Sequence, residues 1–353
     1  MINRVMIAAA VAAAFSAPAF AGLNLGGSAE MNFVYDKGQT EYGDDSWRSS
    51  LDRGIVINID GDTKLDTLGK LNFRVSQKVA EGNKTPSVGS REAWVGLSGD
   101  WGTFRGGRQF LNSYLTLDWP YGQGGFWELA ERDLGNWGGG GKVTAPIYVS
   151  QSLNYLSPNF GGFSYGVQYA WAEKGESAKL SDGATTDLSV NYAAGNLGLN
   201  AGFLTAKGVS NFDGDTDNDP KTPALPADNG DKDKQFYLGA TYNVGGGLNV
   251  RGLYTGYEHK STAGVKAKGS DLLAALTYGW DKSYVKLGLL HRNDKASALT
   301  GQKDFNLVKA EYGYSLASNV VWYGRVSQKK WGKDSVGDGE SYTQFLTGVW
   351  AGF

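Results

Sequence analysis

The sequence predicts an all-β fold, a sixteen-stranded antiparallel transmembrane β-barrel. Three observations carry that prediction. Helical periodicity is nearly absent after residue 22, while period-2 alternation of apolar and polar residues runs almost throughout. The connections between the alternating segments sort by parity into tight and long. The composition sets 52 Gly, 19 Tyr, 15 Phe and 11 Trp against 8 Pro and no Cys. That balance suits strands with aromatics at two lipid interfaces and small residues where they curve.

Residues 1–21 read as a signal peptide. Arg4 supplies a positive start, 5–15 is an apolar stretch too short to span a bilayer, Pro18 breaks the helix, and Ala19-Phe20-Ala21 is a small-x-small cleavage site. The barrel domain then occupies 22–353. It contains no run approaching the roughly 20 apolar residues of a membrane helix. Taking Arg4 from the 34 Lys+Arg leaves 33 against 36 Asp+Glu. Such a near-neutral balance gives no reason to expect a nucleic-acid partner.

The alternating segments are 23–36, 50–61, 67–81, 87–98, 101–110, 146–157, 160–173, 184–194, 197–208, 234–244, 247–260, 270–280, 283–294, 304–316, 319–331 and 341–353. Many approach the roughly 9–11 residues that a tilted strand needs to cross the hydrocarbon. Within 71–79, Leu71, Phe73, Val75 and Val79 are apolar, and Asn72, Arg74, Ser76 and Lys78 are polar. One face suits lipid and the other suits water. Tight connections fall at Gly61-Asp62-Thr63, Gly99-Asp100, Ser157-Pro158-Asn159, Gly195-Asn196, Gly245-Gly246, Asp281-Lys282 and Ala317-Ser318, all with good turn chemistry. Long ones are 37–49, 82–86, 111–145, 174–183, 209–233, 261–269, 295–303 and 332–340. An outer-membrane barrel sorts its connections this way, short in the periplasm and long outside, whereas a soluble sandwich has no reason to. The chain ends on Phe353, with Val349 and Ala351 on the same parity, as is typical of proteins handed to the outer-membrane assembly machinery. The first strand follows directly on the cleavage site, which leaves no segment to plug the lumen.

Two local motifs add a resemblance. Ser90-Arg91-Glu92-Ala93-Trp94-Val95-Gly96-Leu97, followed by Asp100-Trp101-Gly102-Thr103-Phe104-Arg105-Gly106-Gly107-Arg108-Gln109, resembles a signature of the general Gram-negative porins. Ser157-Pro158-Asn159-Phe160-Gly161-Gly162-Phe163-Ser164 resembles that family's turn after the sixth strand. The resemblance implies an outer-membrane homotrimer, each barrel passing small hydrophilic solutes and ions passively. It implies no cofactor, and surroundings of outer-membrane lipid and lipopolysaccharide. It also implies a third outer loop folded inward. The longest connection, 111–145, is that loop, and filling a wide lumen is a reason for its length.

In the family, basic side chains on the wall face acidic ones on the loop, and selectivity follows from pore width and lining charge. Arg91 matches a family wall arginine, and parity is read as placing Arg91, Ala93 and Val95 inward, opposite Trp94. Arg74 and Lys78 face the lumen by alternation, and Arg105 shares parity with Thr103 and Gly107. The chain also departs from the pattern. Tyr148 stands where another wall arginine is usual and Ser28 where a lysine is common. Arg53 falls on the lipid parity of Ile55, Ile57 and Ile59. The loop lacks the family's Pro-Glu-Phe-Gly element and offers Asp118, Trp119, Pro120, Tyr121, Phe126, Trp127, Glu128, Glu131, Asp133 and Trp137.

An eyelet that is less basic and more aromatic raises an alternative, a saccharide-preferring pore for oligosaccharides. The competing reading is that the aromatics only brace the loop. The acidic loop favours cations slightly. Asp213, Asp215 and Asp217 resemble the start of a calcium loop. However, Asn218 stands where that loop wants Gly and Ala224 where it wants Glu, so a solvated acidic loop is the plainer reading and no metal is expected. The chain has two histidines, His259 beside Glu258 and His291. Neither sits in a nucleophile–base motif, so the chain is read as no enzyme, with a barrel hydrolase as the minor alternative.

Overall fold

In the computed structural model sixteen antiparallel strands close into one barrel, each pairing with its sequence neighbours and β16 returning to β1. They are β1 (Gly22–Lys37), β2 (Trp47–Leu65), β3 (Gly69–Glu81), β4 (Glu92–Gly99), β5 (Gly102–Phe110), β6 (Tyr148–Leu156), β7 (Phe163–Trp171) and β8 (Ala184–Ala194). There follow β9 (Leu197–Lys207), β10 (Lys232–Gly245), β11 (Leu248–Lys260), β12 (Lys266–Trp280), β13 (Ser283–Lys295), β14 (Phe305–Ala317), β15 (Val320–Trp331) and β16 (Ser341–Gly352). One helix, α1 (Asn112–Gly122), follows β5. The structure describes residues 22–37, 46–81, 88–89, 91–122, 148–171, 184–207, 232–260, 266–295, 304–332 and 341–353. The signal-peptide residues lie outside these. So do Trp127, Glu128, Glu131 and Asp133 of the long loop and Asp213, Asp215 and Asp217, as do the side chains of Asp118 and Trp119.

Alternation decides the two faces. Along β14, Phe305, Leu307, Lys309 and Glu311 are buried, while Val308, Tyr312 and Leu316 are 50%, 39% and 56% exposed. Charge inside and aliphatic surface outside reverse the order of a soluble protein, and a membrane barrel requires that reversal. Aromatic pairs sit on the outward face at both ends. Near the tight turns Tyr278 stacks on Trp280, which meets Tyr312, which meets Trp322. Near the long connections Tyr35 stacks on Trp47, which meets Phe345. These are the belts expected where strands leave the hydrocarbon.

The abundant glycine and aromatic residues are used together. Gly61, Gly202, Gly256, Gly269 and Gly313 pair across the ladder with Phe73, Tyr237, Phe236, Tyr257 and Tyr284. In each case the ring lies where a Cβ would stand. The ring shields a backbone that has no side chain of its own.

Two expectations are corrected. Gly61-Asp62-Thr63 is not a turn. Gly61 is the ladder partner of Phe73, and pairing continues to Leu65↔Gly69. The turn falls at 66–68 and closes on Gly69, whose φ of 92° needs glycine. The connection read as a loop from residue 111 begins with a helix, 112–122.

Candidate functional site

The inner wall and α1 form the site. Ladder partners share a face, so register assigns the lumen residues among the described ones. On β2–β5 the inward row includes Asp60, Arg74, Glu92, Trp94 and Arg105. Arg74 holds Asp60 through two bonds, Nε to Oδ1 at 2.6 Å and Nη2 to Oδ2 at 3.0 Å, and reaches Glu92 at 3.4 Å. Trp94 Nε1 donates to Glu92 at 3.1 Å, and the Arg105 guanidinium lies 4.3 Å from the centre of a Trp94 ring. The inward placement of Arg74 and Arg105 agrees with the alternation. Lys78 pairs with Val56, and Arg53 pairs with outward Met31.

The parity assigned to Arg91 is wrong. Glu92 and Trp94 face in, whereas Val95 pairs with Phe73 and is 55% exposed on the lipid side. Arg91 precedes the strand at a bend, donates its N–H to Ser76, and lies 5.2 Å over the Phe110 ring. Phe110 stacks on Tyr114 of α1 at 5.3 Å and meets Tyr148, tilted by 39°, at 4.6 Å. Arg108 pairs with exposed Ala93, and Phe110, two residues on, pairs with Tyr148, so Arg91 and Tyr148 meet at the root of the long loop on the outward parity and not, as expected, on the inner wall.

The helix starts where its orphan N–H groups find acceptors on the wall. Asn112 N–H donates to Gln168 at 3.2 Å, and Asn112 Nδ2 to Asn154 at 2.9 Å. Ser113 N–H donates to Asp187 Oδ2 at 2.8 Å, and Ser113 Oγ donates to Oδ1 of the same carboxylate. A negative charge at the N-terminus also suits the helix dipole. One turn apart, Leu117 and Tyr121 are buried, and the Tyr121 hydroxyl donates to Asn200 at 2.7 Å. All these acceptors are lumen-facing, so α1 lies inside the barrel against β6–β11. A cleft of about 180 Å³ remains between α1 and the wall, lined by Glu92, Arg105, Asn112, Thr116 and Asn154 among others.

Two features of the inner wall escaped the alternation analysis. Leu253, Leu273, Leu290 and Leu307 are successive ladder partners on β11–β14, all buried in one apolar cluster with Leu117 and Tyr121. The signal for it lies in the sequence, since Leu272-Leu273, Leu289-Leu290 and Leu307-Val308 are apolar on both faces.

The second feature is a basic wall. Among the described side chains, the lumen face of β11–β15 carries Arg251, Lys286, Arg292, Lys309, Arg325 and Lys329 against two carboxylates, Asp271 and Glu311. Glu311 takes Lys286 at 3.2 Å and Arg325 at 2.5 Å. Asp271 takes Arg292 through two bonds of 2.7 Å. Arg292 and Lys329 also flank the Phe305 ring at 4.9 and 4.8 Å. The excess of positive charge on this side attracts anions. Of the histidines, His291 lies on the outward face with Nδ1 2.9 Å from Asn306. The side chain of His259 lies outside the described residues.

A family model described as Gram-negative porin matches residues 8–333. Among curated relatives, the chitoporin of Vibrio furnissii is 25% identical over 256 residues, 69% of this chain and 66% of that protein. The major outer membrane protein P.IB of Neisseria meningitidis is 32% identical over 158 residues, 45% of this chain and 42% of that protein. The chain thus spans less than two thirds of the length of either. An anion-selective porin from Comamonas acidovorans superposes with a TM-score of 0.74 at 21% identity, over 94% of this chain and 99% of that one. That likeness is one of fold.

Proposed function

The chain belongs to the Gram-negative porin family, and from that premise we propose that it forms a water-filled channel for passive diffusion of small hydrophilic solutes, with a preference for anions. Its place is the outer membrane of a Gram-negative cell. The observation that carries the reading is the closed barrel with a polar, charged inner row and an exposed aliphatic outer row. Such a wall exposes water-compatible groups along a lumen too wide for its own side chains to fill. The constriction forms between the wall groups Arg74, Lys78 and Arg105 and the loop that α1 begins, including Asp118, Trp119, Tyr121, Trp127, Glu128, Glu131 and Asp133. Residues 1–21 are removed as a signal peptide, and the mature barrel assembles as a homotrimer among lipid and lipopolysaccharide.

Anion preference rests on the basic wall of β11–β15. The zero-current potential across a bilayer under a salt gradient tests it. The sign should report anions as the more permeant species, and Lys286→Gln should shift it toward zero. A cation-selective potential would overturn the preference and leave the channel reading standing.

A second reading has its own observation. The long loop carries Trp119, Trp127 and Trp137 in its sequence. Aromatic faces of this kind bind the C–H faces of sugar rings. A relative named for chitin transport supports the same class of solute. Block of the current by oligosaccharides would select this reading.

A further inference from the structure

The outward face carries a feature that solute passage does not use. At the long-connection end of the barrel, Lys207 of β9 pairs with Lys232 of β10, Lys232 with Lys260 of β11, and Lys260 with Lys266 of β12. Four lysines thus stand side by side in one ladder row. In the row below, Lys234 pairs with Glu258 and Glu258 with Lys268. All six lysines are exposed, and all share the parity of the exposed side chains Phe203, Phe236, Leu238, Tyr254 and Leu272 beneath them. Glu258 is the one carboxylate in the two rows among the described side chains, and it is bonded to Lys268 at 2.7 Å.

Neighbouring strands lie about 4.8 Å apart, so the upper row places four ammonium groups along roughly 15 Å. Like charges directly opposite one another across a ladder are destabilising. A polyanion against the row relieves that repulsion. The opposite ends of β9–β12 run into the tight turns at 195–196, 246–247 and 281–282, so the lysine end is the outer one. There the row stands directly above surface that faces acyl chains.

We propose that this lysine row is a binding site for the phosphate groups of the phosphorylated glycolipid of the outer leaflet, which seats its acyl chains on the apolar face below. The chemistry calls for an amphiphile. Phosphate monoesters meet the ammonium groups, and hydrocarbon meets Phe203, Phe236, Tyr254 and Leu272. The inference rests on the barrel's outer-membrane orientation and not on what passes through the lumen. Because the lysines supply the positive charge themselves, the contact does not require a bridging divalent cation.

The test is native mass spectrometry of the folded full-length barrel incubated with bisphosphorylated lipid A in detergent. The parent should retain lipid A in the presence of EDTA. The variant Lys207→Gln/Lys232→Gln/Lys260→Gln/Lys266→Gln should lose the adduct by about tenfold or more, given the attraction of each lysine to an anionic surface. The matching four-arginine variant should keep it. Excess inorganic phosphate should compete poorly, which separates a lipid headgroup from free phosphate. The glutamine variant should show parental electrophoretic mobility without heating, because these side chains are exposed, and parental channel currents. Absence of channel currents in the parent would count against the lumen reading and leave the lipid contact to be decided by the adduct. Equal retention of lipid A by the glutamine variant, or equal retention of dephosphorylated lipid A by the parent, would overturn the inference.

Discussion

Asp187 holds the start of the long loop to the wall, and its removal should release it. The carboxylate is 0% exposed and accepts both the backbone N–H and the hydroxyl of Ser113. Hydrogen bonds to a charged group contribute about 1.5–3 kcal/mol each, and the charge at the helix N-terminus adds roughly 0.3–1 kcal/mol. Replacement solvates part of what is lost, so Asp187→Ala should cost about 3–4 kcal/mol of docking free energy. That is roughly a 100- to 1000-fold change in the docked-to-undocked ratio. A helix as short as α1 does not persist alone in water, so undocking and unfolding coincide. Amide hydrogen exchange across 112–122 should therefore accelerate by a comparable factor. Single-channel traces should become noisier, with larger open steps as the loop root leaves the lumen. The barrel itself should keep its unheated gel mobility. Asp187→Asn keeps one acceptor for the Ser113 N–H and should show a smaller effect. Parental exchange rates and parental current traces in Asp187→Ala would refute the reasoning.

Three further outcomes follow from the same geometry. A Cβ at Gly239 would overlap the Tyr121 ring, so Gly239→Ala should displace Tyr121 and reproduce the exchange and noise changes of Asp187→Ala from the other end of α1. Glu311 is the shared partner of Lys286 and Arg325, with side-chain exposures of 1%, 13% and 3%. Glu311→Gln should leave two partly compensated cations and destabilise by about 3 kcal/mol or more, read as a lower temperature for conversion of the folded gel band. If the loop tryptophans carry sugars, Trp127→Ala should weaken oligosaccharide block at least several-fold with little change in salt conductance.

The strands were legible because alternation and turn chemistry are local. Leu71 to Val79 declares its two faces without knowledge of its neighbours, and Gly195-Asn196 and Asp281-Lys282 turn the chain where expected. Features that depend on register were not legible. Lys286, Lys309, Arg325 and Lys329 each have lumen parity, yet they are spread over three strands and form a wall only once β13, β14 and β15 are aligned. Trp94 misled because a large aromatic was taken to mark the lipid face. Its ring instead packs beneath Arg105 inside, and Val95, paired with Phe73, marks the outside. Helix α1 was missed because its apolar residues look like loop anchors until the leucine row that receives them is in place. The adjacent pairs Leu272-Leu273 and Leu289-Leu290 were the available sign that part of the inner wall needed a cover.

The central claim is that the barrel conducts, and single-channel recording of the purified protein in a planar bilayer tests it most directly. The account predicts discrete, large, ohmic steps in groups of three, with a reversal potential on the anion side under a salt gradient. A correctly folded, trimeric preparation that inserts and gives no steps would contradict it.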